Sequence, residues 1–229
     1  MTGLFGTFVN TAAVILGGSI GLILNSRFPK HISSSLMKAL GLCTLLIGVT
    51  GILKGQNQLI TIISMAIGTI IGEIFDLDKR LNKLGDSLQQ KYKKGSEKNS
   101  IAEGFVNASL LFCVGAMTIV GSLQSGLTGD NQMIYTKSLL DFTSSIIFAS
   151  TLGIGVLFSA AFVFLYQGTI VVLAHYVAPF LNETVVSEMT CVGSLIIIGL
   201  ALNMHGITKL KVMNYVPAIF LPILLYIFI

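Results

Sequence analysis

Apolar residues fill this chain in long blocks, separated by short polar or glycine-rich breaks. A helix rises about 1.5 Å per residue and a hydrocarbon core is about 30 Å thick, so blocks of roughly 20 residues predict membrane crossings. The pattern places them near 4–24, 36–53, 59–75, 104–123, 137–151, 155–178, 189–204 and 212–229. Residues 137–180 decide the count. They are almost wholly apolar with one carboxylate, Asp141, and are twice too long for a single crossing. Two glycines and two hydroxyls in Ser150-Thr151-Leu152-Gly153-Ile154-Gly155 predict a break there. The expected fold is an all-α polytopic transmembrane bundle of about eight crossings. Three crossings lie in 1–75, a hydrophilic linker spans 76–103, and five crossings lie in 104–229.

Small residues recur every four positions at Ala13, Gly17 and Gly21, and again at Gly68 and Gly72, which predicts close helix approach. In the linker, Ile74, Leu77, Leu81, Leu84 and Leu88 share a helical face, with Lys79, Arg80, Lys83 and Lys91 elsewhere. This spacing predicts a basic amphipathic helix on the membrane surface, with a solvated linker with incidental leucines as the alternative. Ser100 and Glu103 have capping-box spacing before the fourth crossing.

Composition agrees with this class. The chain is 53% hydrophobic and 10% charged, where a soluble domain carries about a quarter charged residues. A β-barrel would alternate apolar and polar positions in ten-residue strands instead. The net charge of +4 reads as orientation rather than nucleic-acid binding. With both termini outside, Arg27, Lys30, Lys38, the seven cations of 76–103, Lys209 and Lys211 all fall inside. That is twelve of the fourteen Lys and Arg, so the linker is expected to be cytoplasmic. Cys43, Cys113 and Cys191 sit in separate apolar blocks with neither metal spacing nor a disulfide framework. The N-terminus lacks the basic stretch of a cleaved signal peptide.

An inverted repeat is legible in outline. Phe8-Val9-Asn10 recurs as Phe105-Val106-Asn107, and Gly51-Ile-Leu-Lys54 as Gly206-Ile-Thr-Lys209. Each pair runs in opposite directions across the membrane in the eight-crossing arrangement, as in many transporters.

Several residues carry candidate chemistry. Asp141 shares a stripe with Ser144 and Ser145, and this trio could bind Na⁺ or H⁺ coupled to a solute. Alternatively Lys137, four residues earlier, pairs with Asp141 and anchors the helix at the outer interface. Asn10 and Asn107 could line a solute site or act as interhelical glue. The Gly153 and Gly155 break, and Gln167 within the polar group Tyr166, Gln167 and Thr169, complete the candidate path. The run 121–130, ending in Thr128, Gly129 and Asp130, reads either as an ordinary outer loop or as a re-entrant loop binding an anion. His31, His175 and His205 are scattered, so neither a metal site nor a cofactor is expected. Ser144 and Ser145 lack a nearby histidine, so the chain does not read as an enzyme.

The runs Gly6-Thr-Phe-Val-Asn10, Gly104-Phe-Val-Asn-Ala-Ser-Leu-Leu-Phe-Cys-Val-Gly115, 121–130, Lys137-Ser-Leu-Leu-Asp141, Leu152-Gly-Ile-Gly155 and Tyr166-Gln-Gly168 resemble a known group. They are similar to the YqgA-like and YdfK-like bacterial inner-membrane proteins of domain-of-unknown-function family 554, over essentially the whole chain. The resemblance implies a multi-pass bacterial inner-membrane protein. It brings a transport label with no substrate and no assigned binding residue attached. The function expected is therefore a small-solute or ion transporter or permease, with the lipid bilayer and a small solute or ion as partners. A homo-oligomer is expected because several glycine stripes need partners. The alternatives are an ion channel and a non-transporting membrane scaffold.

Overall fold

The computed structural model of the chain describes residues 3–25, 30–80, 82–83, 101–114 and 116–228. Every regular element among them is helical. The long helices are α1 (Gly3–Asn25), α2 (Lys30–Ile52), α3 (Gln58–Phe75), α4 (Ile101–Cys113), α5 (Ala116–Thr128), α6 (Gln132–Leu152), α7 (Gly155–Val172) and α8 (Glu183–Met204). A short turn Ala174–Val177 and a 3₁₀ turn Ala178–Phe180 follow α7. The chain closes with a 3₁₀ stretch Val212–Phe220 and the helix α9 (Leu221–Phe228).

Among the described residues, α1, α3, α7 and α8 are long and apolar enough to cross a membrane, and the bent pair α4–α5 makes five. The stretches Met37–Ile52 and Val212–Ile227 are apolar but shorter. Helix α6 has the length, yet its polar residues set it apart from the fully apolar helices.

Several boundaries differ from the sequence reading. The fourth crossing is two helices, α4 and α5, bent by 61° at a break next to Gly115. Thr118 Oγ1 donates to the Phe112 carbonyl across that break at 3.0 Å, which satisfies a carbonyl the bend would leave bare. The glycine-rich run expected as a loop is helical as far as Thr128, because α5 packs against α1, α6 and α7 and tertiary contact outweighs glycine's weak propensity. Helix α6 begins at Gln132, five residues before Lys137, so Asp141 is the tenth of its 21 residues. That places Asp141 about 15 Å from either helix end. Residues 183–188, which precede the apolar block 189–204, form the first turns of α8, started by Asn182, whose side chain accepts from Val185 N at 2.9 Å. Pro217 turns the start of the last block into 3₁₀ geometry. Of the amphipathic linker helix, 77–80 and 82–83 are helical, and Leu84, Leu88, Lys91 and Ser100 lie outside the described residues.

Glycines fix how the helices pair. Gly17 of α1 lies on the Phe142 carbonyl and Ser145 of α6, and Gly21 lies on the Ile146 carbonyl and Ala149. Numbering rises together along both, so α1 and α6 are parallel. In the same way Gly104 of α4 meets Leu152 and Gly155, Phe105 meets Phe162, and Gly126 of α5 meets Val171 and Ala174. The bent α4–α5 therefore runs parallel to α7. Helices α2 and α8 are antiparallel, with Gly41 on His205, Gly48 on Ile198 and Gly51 on Ser194. Helix α3 is antiparallel to the 3₁₀ stretch, with Gly68 on Ala218 and Gly72 on Asn214.

The expected turn at 150–155 is present. Gly153 has φ 75°, a conformation open to glycine, and it closes α6. Gly155 faces the Ile101 carbonyl and Phe105 of α4, so the break is a tight buried hairpin.

Substituting Gly17 by Leu should cost about 1–3 kcal/mol, since a side chain there meets the backbone of α6. Gly168→Ala, whose added carbon meets only Leu4 at 3.8 Å, should change little. Equilibrium unfolding in mixed detergent micelles checks this pair, and equal effects would contradict the packing described.

Candidate functional site

Asp141 sits midway along α6 and is nearly buried. Three polar side chains compensate its charge. Lys137, one turn earlier and equally buried, forms an ion pair with Asp141 Oδ2. Asn10 of α1 donates Nδ2 to the same oxygen at 3.0 Å, and also to Gln167 Oε1 of α7 at 3.2 Å. Asn10 and Gln167 are completely buried. Sequence alone placed Asn10, Asp141 and Gln167 on separate crossings, and the fold makes them one network.

A second polar layer closes the end of the bundle where α1 begins. Asn131 Oδ1 accepts from Gly6 N at 3.2 Å and contacts Ser125 Oγ at 2.5 Å. Ser125 also bonds the Gly3 carbonyl. Between the two layers lie Thr7 and Ser122, both fully buried. Thr7, Ser122, Ser125 and Asn131 were missed from sequence. For Thr7 and Ser122 the signal is a small hydroxyl at three- or four-residue spacing from Gly3, Asn10 or Gly126, and Ser125 and Asn131 have no such spacing.

Two cavities flank this core. One, of about 270 Å³, is lined by Lys137, Asp141 and Ser144 of α6, Thr118 beyond the helix break, Thr190 and Ser194 of α8, and Lys54 after α2. The other, of about 260 Å³, is lined by Glu103 and Asn107 of α4, Asp78, Asn82, Asn203 and Lys209. Along α4 the first uses Leu111 and Phe112 and the second Val106 and Asn107. Along α8 the first reaches Ile197 and the second begins at Leu200. The cavities thus enter from opposite ends of both helices, and one helical turn, about 5 Å, separates them.

The remaining candidates divide. Ser144 lines the first cavity with Asp141. Ser145 donates instead to the Asp141 carbonyl at 2.6 Å and packs against Gly17, so its hydroxyl is used within α6. Asn107 does not meet Asn10, because α4 pairs with α7 and points Asn107 into the second cavity. Gly153 and Gly155 line neither cavity and serve the hairpin against α4. At Thr128, Gly129 and Asp130, where the sequence left an ordinary loop and an anion-binding loop open, the backbone bonds locally. Gly129 N donates to the Ser125 carbonyl, Asp130 N to Thr128 Oγ1, and Gln132 N to Asp130 Oδ1, so these amides are taken.

Two further clamps surround the site. Glu188 of α8 is fully buried and accepts from Gln56 N and Asn57 N, both at 2.7 Å, tying the α2–α3 turn to α8. At the other end Asn214 Oδ1 accepts from Asp78 N at 2.8 Å. Partial burial raises the Asp78 carboxyl above its ordinary range, against the opposing pull of Lys211 and the Met213 backbone.

The model of the family described as protein of unknown function DUF554 matches residues 5–227, and the chain belongs to that family. It is 33% identical over 223 residues to the uncharacterized membrane protein YdfK of Bacillus subtilis, covering 96% of this chain and 94% of YdfK. It is 32% identical over 219 residues to the uncharacterized protein YqgA of Escherichia coli, covering 94% and 93%. No solved structure matches it. The apolar helices and the YdfK likeness make it a helical membrane protein.

Lys137→Met should destabilise the fold by about 3–5 kcal/mol, because Asp141 then keeps a buried charge without its cation. Adding Asp141→Asn should return stability to within about 1 kcal/mol of wild type, since both charges are gone. A double-mutant cycle by unfolding in detergent reads both steps, and simple additivity would contradict the pairing.

Proposed function

We propose that this protein is a small-solute or ion transporter of the bacterial inner membrane, working by alternating access. The observation that carries the reading is the pair of polar cavities set end to end along α4 and α8. Each is hydroxyl- or amide-rich and holds charged groups, features that lipid-exposed or purely structural contacts between helices do not need. The closed layer between them, about one helical turn thick, favours a carrier over an open pore.

In this reading the chain crosses eight times with both termini outside and 76–103 in the cytoplasm. The cavity of Asp141 then opens outward and that of Asn107 inward. Helix pairing supports an inverted repeat with a refined correspondence. Helices α1, α2 and α3 correspond to α4–α5, α8 and the final block, and the α6–α7 hairpin is inserted between. A two-fold axis in the membrane plane exchanges the parallel pair α1–α6 with the parallel pair α4–α7 and maps α2–α8 and α3 with the 3₁₀ stretch onto themselves. Rocking one half against the other exposes the Asp141 network alternately to the two cavities. The proposal includes copies of this chain as partners in the bilayer.

Cysteines placed at Ser144 and at Asn107, after replacing exposed Cys43 by Ser, test the two-sided access. A membrane-impermeant thiol reagent should label the residue-144 cysteine only from the outside of intact cells. The residue-107 cysteine should be labelled only in inverted vesicles. Labelling of both from one side would contradict the arrangement.

A further inference from the structure

We propose that a monovalent cation, with Na⁺ the best fit, binds between α1, α5, α6 and α7 on the side of Asp141 away from the outer cavity. This deepens the transport reading by naming the coupling ion and its ligands. It rests on four buried polar atoms that have no hydrogen-bond partner among the described residues: Thr7 Oγ1, Asn10 Oδ1, Ser122 Oγ and Gln167 Nε2. Each belongs to a side chain with no exposed surface.

Helix register brings Thr7, Ser122 and Gln167 to one level, with Asn10 one turn deeper. Gly3 meets both Ser125 and Val171, and Gly126 meets Val171 and Ala174. One turn inward from these contacts, α1 presents Thr7, α5 presents Ser122 and α7 presents Gln167. Asn10 lies three residues beyond Thr7 on the same stripe and is bonded to Gln167. Buried polar atoms are almost always paired, and a cluster of orphans from three helices at one level marks a place for a polar guest.

The chemistry of the guest follows from which atoms are free. Asn10 must turn its amide nitrogen toward Asp141, a carboxylate that only accepts, so its oxygen is left facing the cluster. Two hydroxyl oxygens join it, and Asp141 supplies the negative charge next door. An oxygen shell with one carboxylate suits a hard cation of single charge, whereas divalent ions are held by several carboxylates. Gln167 Nε2, a donor, serves a hydroxyl or a water of the shell.

Asp141 then has two claimants. Lys137 approaches from the outer cavity, and the ion approaches from the α1–α5–α7 side. One carboxylate in a poorly polarisable interior compensates one cation well, so ion entry loosens Lys137. The released ammonium faces the cavity it shares with Lys54, Thr118, Thr190 and Ser194. Ion binding thereby raises the affinity of that cavity for an anionic solute.

Equilibrium binding of radioactive Na⁺ to the purified full chain tests this, with folding of each variant verified by size-exclusion profile and thermal melting. Wild type should bind Na⁺ saturably, displaced by unlabelled NaCl and not by choline chloride. The double variant Thr7→Val with Ser122→Ala should weaken binding about tenfold or more, through loss of two ligands. Lys137→Met should tighten it about tenfold or more, through loss of the competing charge. Absence of saturable binding, or unchanged binding in the double variant, means the pocket holds water only and overturns the proposal. Weaker or unchanged binding in a folded Lys137→Met overturns the competition. Solute flux indifferent to Na⁺ would overturn this inference and leave transport standing, whereas Na⁺ binding without any flux would leave the site and remove transport.

Discussion

Asp141 carries its charge halfway along α6 in a buried site, where an uncompensated ion would cost several kcal/mol. Three helices are arranged around that cost. Lys137 is held one turn away on α6, Asn10 reaches across from α1, and Gln167 of α7 completes the chain of bonds. None of these can move independently without leaving a charge or an amide unpaired. The network therefore ties α1 and the α6–α7 hairpin into one unit, and any conformational cycle has to carry them together or break the ion pair.

Close backbone approach makes such a network reachable. Asn and Gln side chains are short, and α1 comes near enough to α6 only because Gly17 and Gly21 let its backbone rest on carbonyls of the neighbour. Glycines do the same for α2 against α8 and for α3 against the 3₁₀ stretch. Polar clamps at Glu188 and Asn214 sit at the ends of these interfaces, and dispersion and shape hold the rest. The interface that contains Asp141 carries its polar network midway along the helices, and a buried network of this kind fixes register as well as affinity.

Much of this was legible in the sequence, for physical reasons that also explain what was not. Block length and the Gly153 turn follow from bilayer thickness and backbone freedom, and both are local properties. The stripe at Gly17 and Gly21 announced a close neighbour, and Asp141, Asn10 and Gln167 announced polar burial. What local pattern lacks is pairing. Nothing in the chain states that Asn10 meets Gln167 while Asn107 faces a different cavity, because that depends on α1 choosing α6 and α4 choosing α7. The helical state of 121–128 was hidden for a related reason, since packing against three helices outweighs a composition that reads as loop. Thr7 and Ser122 were invisible because a hydroxyl in a membrane helix ordinarily bonds back to its own backbone.

Solute flux in proteoliposomes made with purified wild-type protein or Asp141→Asn tests the central claim most directly. Dyes sensitive to pH and to membrane potential would report while pools of ions, amino acids and organic acids are added outside. Transport through the Asp141 network should give a signal from at least one pool with wild type that is lost in Asp141→Asn of equal fold. Silence from every pool with folded wild-type protein, or an equal signal in the variant, would contradict it.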